Sequence, residues 1–479
     1  MQLRLHGFSY MSKGAVKKMV FSSLTFLFAF FPLFLIAYFA SPNKLKNFIL
    51  FIFSLVFYAW GEPIYIVLML FSTVFDYVNG LLIEKWGPRT KQSKWVMIIS
   101  VIVNLGLLGV FKYSNLVVDT INNVLNTNIQ WKELPLPIGI SFYTFQTLSY
   151  TLDVYLGKAP TQHNIISFGA YVTMFPQLIA GPIVQYKTID EQLNSRKVTL
   201  DQMYRGVLRF MAGFIKKVFL ANSIGFVWSE VLANYQNLST PTMLLGLICY
   251  SMQIYFDFSG YSDMAIGLGK MMGFEFLENF NYPYISKSLT EFWRRWHISL
   301  GSWFREYVYI PLGGNRKGIK RQIINVAIVW LLTGIWHGAA YNYVLWGVYY
   351  GILLIIEKMW LLDKLKKLPT FIQHAYSLFF VLFGWALFAI EDFSVLGNFF
   401  NNLVQFNFSN DILYYLSNFG VLILVGLTAC TPIFAKLRTK LEEKGAWVHV
   451  YDIATVGMFI LSLAMLVNST YNPFLYFRF

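Results

Sequence analysis

The sequence predicts an all-α, polytopic integral membrane protein, and three observations predict it. Of the 479 residues, 56% are hydrophobic and only 13% charged, against about 25% charged in a soluble domain. The apolar residues come in runs of roughly 20, the length that crosses a hydrocarbon core of about 30 Å. Lysines and arginines gather in the short loops between those runs, as expected of cytoplasmic loops. That placement also argues against nucleic acid as the reason for the net charge of +14, because no basic stripe crosses a folded soluble surface. Cys249 and Cys430 fall inside apolar runs and read as buried thiols, not a disulfide.

Taken in order, the candidate spans are 20–40, 47–60, 63–83, 95–112, 210–228, 242–257, 322–338, 341–360, 371–390, 412–432 and 449–468. Two further apolar stretches, 136–157 and 164–183, lie in a region broken by Pro135, Pro137, Gly139, Pro176, Gly181 and Pro182. Irregular backbone at membrane depth survives only where protein or a wet cavity covers it, and because alternating loop sides leave one net crossing between 136 and 184, one of the two is expected to be re-entrant. The total is about 11–13 crossing helices. The basic clusters at Lys44 and Lys46, 84–94, Lys187 to Arg209, Arg294 to Arg321, Lys358 to Lys367 and Lys436 to Lys444 assign one side to the cytoplasm. Loops 113–131, 229–240 and 391–411, and the tail after 468, fall on the other side.

The longest non-spanning region, 258–320, holds the first candidate residues. Residues 291–305 fit one interfacial helix. At about 100° per residue, Trp293, Trp296, His297, Leu300, Trp303 and Phe304 share one face, and Arg294, Arg295, Ser302 and Arg305 the other. His297 thus points inward, as a functional ring or as a core histidine satisfied by a carbonyl. In "FDFSGYSD", Asp257 and Asp263 could orient a base or bond backbone nitrogens around Gly260, with Asp263 capping the helix that follows. "IPLGGNRKG" sets a glycine turn beside Arg316 and Lys317, suited to phosphates or to lipid headgroups.

The sharper signal is "LLTGIWHGAA", residues 331–340, where His337 is the one ionisable side chain. A helix starting at Arg321 and rising about 1.5 Å per residue carries it roughly 24 Å inward. An imidazole at that depth is costly unless it is paired or lines a wet cavity. Gly334 and Gly338 permit close helix approach, Trp336 adjoins the ring, and Asn342 follows as a polar neighbour. Metal binding is disfavoured, since the six histidines contain no i, i+4 pair. A general base is the simplest role, taking a hydroxyl proton while that oxygen attacks an activated acyl group.

The blocks "QIYFDFSGYSDMAIG" (253–267), "EFWRRWHISLGSWFREYVYIPLGGNRKG" (291–318) and "WHG" (336–338), in that order, resemble the membrane-bound O-acyltransferases. Within them they resemble the bacterial alginate and peptidoglycan O-acetyltransferase branch. The similarity starts at Met19, which makes 1–18 an N-terminal extension and 19–479 a single membrane domain. The resemblance implies a helical enzyme of the bacterial inner membrane with a central tunnel, no bound cofactor, and cytoplasmic acetyl-CoA as donor substrate. It matches His337 to the catalytic histidine and His297 to a second functional one. The donor's phosphates would then meet Arg294, Arg295, Arg305, Arg316 and Lys317. An extracytoplasmic partner of SGNH-type fold would deliver acetyl to a cell-wall or exopolysaccharide. The tail "NPFLYFRF" (472–479) is similar to the C-terminal motif of the small peptide that accompanies the teichoic-acid D-alanyl branch, where a tyrosine relays the acyl group. By that likeness Tyr476 is a third catalytic candidate, docked at the outer mouth near His337. The alternatives are a D-alanyl transferase using a carrier-protein thioester, or a transporter with no chemistry of its own.

Overall fold

The computed structural model describes residues 19–445, 447–468, 474 and 475, and among them the secondary structure is helical throughout, with no strand. The extension 1–18 and Tyr476 lie outside the described residues. Each candidate span coincides with a helix, and among the described residues nine helices are long and apolar enough to cross a membrane. Of the other two, Phe26–Ala40 is shorter. Thr240–Met272 carries Asp257, Asp263 and Lys270 and is buried along nearly its whole length. A helix surrounded by protein has no need of an apolar face toward lipid.

Several helices outrun the predicted spans. Lys91–Leu125 has 35 residues, and Leu200–Asn237 has 38 with a π-helical bulge at Lys216–Ala221. Hydropathy sees only the apolar part of such a helix, while backbone hydrogen bonding continues past the hydrocarbon. The stretch 136–157 contains one unbroken helix, Ile140–Leu156, and the broken one is 164–183. It forms Ile165–Thr173, turns at Met174, and resumes as Phe175–Leu178. Residues 171–186 are all buried, and side chains take up the freed backbone groups. Phe175 N donates to Ser54 Oγ at 3.2 Å, and Ile183 N to Ser299 Oγ at 3.0 Å. Protein cover thus replaces water, as irregular backbone at this depth requires.

Polar contacts and small residues hold the bundle together where hydrophobic contrast cannot. The buried Asp76 carboxylate accepts from Ser100 at 2.6 Å, Asn104 at 2.8 Å and Thr151 at 3.1 Å, joining three helices. Helices Leu200–Asn237 and Thr240–Met272 touch backbone to backbone. A Cβ on Gly213 would stand 2.5 Å from the Gly260 carbonyl, and one on Gly260 would stand 2.8 Å from that of Gly213. This corrects the reading of Asp263 as the cap of a following helix. The helix runs straight through Gly260 and Asp263, and Asp263 accepts from Arg209 Nη2 and Lys216 Nζ, each at 2.6 Å.

Candidate active site

His337 is the last residue of helix Ile319–His337. The close approach that brings the next helix, Tyr341–Ile356, alongside is made at Gly334, whose added Cβ would lie 2.4 Å from the Tyr343 carbonyl. A helix end at this depth leaves carbonyls that need donors. They come from Lys91–Leu125. Lys112 Nζ donates to the Trp336 carbonyl at 2.5 Å and the His337 carbonyl at 3.3 Å, and Tyr113 OH donates to that of Ile335 at 2.6 Å. The structure therefore holds His337 by its main chain and leaves the ring to the cavity. Its ring centroid lies 5.0 Å from Trp346, 5.1 Å from Trp336 and 5.4 Å from Phe388. The buried Nδ1 has no hydrogen-bond partner among the described residues.

His297 is reached by a different route, which corrects the single helix expected over 291–305. The segment forms Leu289–Arg295 and Ile298–Phe304, with an extended Trp296 and a left-handed His297 (φ 46°) between them. The cause lies upstream in sequence. Asn281 N bonds the Arg295 carbonyl and Ile298 N the Asn279 carbonyl, both at 2.9 Å. The Asn279 Oδ1 takes Ser299 N at 3.1 Å, which fixes it as oxygen, and faces His297 Nδ1 at 3.2 Å. Nδ1 must then carry the proton. His297 Nε2 is left with its lone pair, buried and without a partner among the described residues. Burial pushes the imidazole down to about 3, so it is neutral at any physiological pH. The face assignment survives the break: Trp296, His297, Leu300, Trp303 and Phe304 are buried, while Arg294 and Arg305 are exposed.

The two histidines share a cavity of about 160 Å³, whose wall includes Trp293, Trp296, Trp330 and Thr333. A second cavity, of about 20 Å³, is lined by Asp257, Trp296, His337, Trp346 and Leu475 among others. Trp296 and His337 line both. His337 therefore lies on the wall of both the larger cavity and the smaller one, which has room for about one water. Trp293 adds a buried indole N–H, without a partner among the described residues, to the wall of the larger one.

The other candidates fall into distinct places. Asp257 lines the smaller cavity, pairs with Lys217 and accepts from Leu475 N at 2.8 Å. Trp336 packs its ring 5.6 Å from Phe145 and 6.0 Å from His297. Asn342 spends its amide on the Leu387 and Phe388 carbonyls, at 3.3 and 3.2 Å. Asp263 is taken up by Arg209 and Lys216. Arg295 bonds Glu291, while Arg294, Arg305, Arg316 and Lys317 are exposed, and none of these lines either cavity. Among the described residues no group of histidines, cysteines or carboxylates could hold a metal. Phe474 and Leu475 are the described residues of the C-terminal tail. They lie against Asp257 and Tyr261, midway along Thr240–Met272.

Residues 22–363 match the model of the membrane-bound O-acyltransferase family. The chain belongs to that family. With nine apolar helices long enough to cross a membrane among the described residues, it is a multi-pass membrane O-acyltransferase. The chain is 40% identical over 491 residues to the probable alginate O-acetylase AlgI of Pseudomonas putida, covering 96% of this chain and 100% of the relative. Against the peptidoglycan O-acetyltransferase of Helicobacter pylori it is 32% identical over 411 residues, 78% of this chain and 77% of the relative. The teichoic acid D-alanyltransferase of Bacillus subtilis is 31% identical over 275 residues, 53% of this chain and 69% of the relative.

Proposed function

We propose that the protein takes acetyl from cytoplasmic acetyl-CoA and passes it across the bacterial inner membrane. An extracytoplasmic partner of SGNH-type fold then delivers it to polysaccharide hydroxyls. The observation that carries this reading is His337 on the wall of both cavities. A base shared by two chambers can serve an acyl donor entering from one and an oxygen nucleophile seated in the other. Full-length similarity to a probable alginate O-acetylase, against 53% coverage by a D-alanyltransferase, supports acetyl as the group transferred.

The thioester enters the larger cavity, where the Trp293 indole N–H is a donor suited to its carbonyl oxygen. Tyr476 supplies the nucleophile, because Leu475 beside it in sequence lines the smaller cavity. His337 takes the phenol proton as the oxygen attacks the carbonyl carbon. The C–S bond breaks, and the imidazolium returns the proton to the departing thiolate. A hydroxyl on the partner then attacks the ester carbonyl, the aryl C–O bond breaks, and the hydroxyl's proton returns to the Tyr476 phenolate as acetyl leaves with the partner. His297, neutral and fixed through Nδ1, orients the donor.

The test is donor saturation. Purified protein in nanodiscs should show saturable acetyl-CoA-dependent transfer and no use of a D-alanyl carrier-protein thioester. Saturation by the carrier instead would reassign the protein to D-alanyl transfer, and use of neither would favour a transporter. Replacing exposed Arg316 and Lys317 together with glutamine should raise the acetyl-CoA KM about tenfold and change kcat by less than about twofold. A donor KM that stays constant across a salt series would show that these charges meet only lipid headgroups.

A further inference from the structure

Holding two helices together does not account for everything the buried Asp257–Lys217 pair touches. Both side chains are almost fully buried, and a buried ion pair gives no more stability than well-packed apolar residues of the same volume. Gly213 and Gly260 already bring the two helices into backbone contact. The pair has a third member. Asp257 Oδ2 accepts the main-chain N–H of Leu475 at 2.8 Å. Lys217 Nζ stands 4.5 Å above the Phe474 ring, and the Tyr261 ring meets that ring edge-on at 5.0 Å. Phe474 is 1% exposed. Both lysines lie in the π-bulge that begins at Lys216, and they reach different carboxylates, Lys216 to Asp263 and Lys217 to Asp257. Such bulges recur at functional sites.

We infer that Asp257 and Lys217 form a clamp that seats the C-terminal segment in the wall of the His337 cavity, positioning the residue after Leu475 for acyl transfer. The clamp reads backbone at 475 and an aromatic face at 474, so it fixes the height and direction of the chain. Asp257 lies 17 residues into a helix that begins at Thr240, roughly 26 Å along its axis. A terminus that merely closed the tunnel mouth would need no anchor so deep. The purpose given to the clamp rests on the relay through Tyr476; the seating itself does not.

The test separates the two. Cysteines replace Ile254 and Leu475, which line the same small cavity, in a chain whose buried Cys249 and Cys430 are changed to alanine. With the clamp intact, mild oxidation should link them; no disulfide would place Leu475 away from the helix and overturn the inference. The double change Asp257→Leu and Lys217→Met removes both charges together, so neither is left buried alone. It should slow disulfide formation by about tenfold or more, because the effective concentration of the tail falls. It should also lower kcat for transfer by about 10²-fold at unchanged acetyl-CoA KM. In that variant, molecules trapped in the disulfide-linked form should recover transfer and lose it again on reduction, a rescue that a merely structural role would not give. Disulfide formation at the parent rate, with transfer intact, would overturn the clamp. Slow disulfide formation with full transfer would support the clamp and overturn the relay reading.

Discussion

Replacing His337 with alanine is expected to lower acetyl transfer by about 10²–10⁴-fold, the usual cost of losing a general base. The variant should insert, purify and bind donor as the wild type does. The reason lies in how the residue is held. Lys112 bonds its carbonyl and that of Trp336, contacts that alanine keeps, while no side-chain hydrogen bond within the described residues depends on the ring. The loss should fall on kcat, with the acetyl-CoA KM unchanged, because the imidazole acts on the proton in flight and not on the bound donor. A rate within about threefold of wild type would sink the base assignment. For His297 the informative change is to asparagine, which tolerates the left-handed backbone at φ 46° better than alanine does. Its loss should be smaller, and an unaffected rate would make the ring structural.

Changing Tyr476 to phenylalanine should stop transfer to the partner while donor binding persists. A phenol, with a pKa of about 10, is a poor nucleophile at neutral pH unless a base takes its proton. The base proposed for it is His337, on the wall of the cavity that Leu475 also lines. Removing one oxygen leaves the apolar character of the tail intact, so a tail that acted only as a hydrophobic latch would leave the variant nearly as active as wild type. Incubation with acetyl-CoA should place an acetyl ester on the terminal peptide of the wild type, visible by intact-mass analysis, and none on the phenylalanine variant. A fully active variant would end the relay.

How much of this was legible in the sequence depends on the range of the interactions involved. The spans followed from hydropathy because lipid contact selects apolar side chains directly. His337 followed from being one ionisable group in an apolar run, and its glycine neighbour Gly334 does meet the next helix. The buried face of 291–305 was readable from its spacing, but the break at His297 was not, because Asn279, far upstream, imposes it. Lys112 was missed for a related reason. It stands at the edge of the apolar run 95–112, where a lysine reads as the end of a span, yet the helix continues to Leu125. A lysine followed by more helix-compatible sequence, "KYSNLVVDTINNVL", was the available signal. Asp257 was noticed, but its partners Lys217 and the Leu475 backbone come from distant parts of the chain. Local patterning carries no trace of such pairings.

The most direct test of the account is sided transfer in sealed proteoliposomes. Labelled acetyl-CoA is supplied on the face that carries Arg316 and Lys317, and the partner with a polysaccharide acceptor is trapped on the other. Labelled acetyl esters should form on the trapped polymer, at a rate that saturates with acetyl-CoA and is lost in the His337→Ala protein. Label reaching the trapped acceptor equally fast through the His337→Ala protein, or only when donor and acceptor share one side, would contradict it.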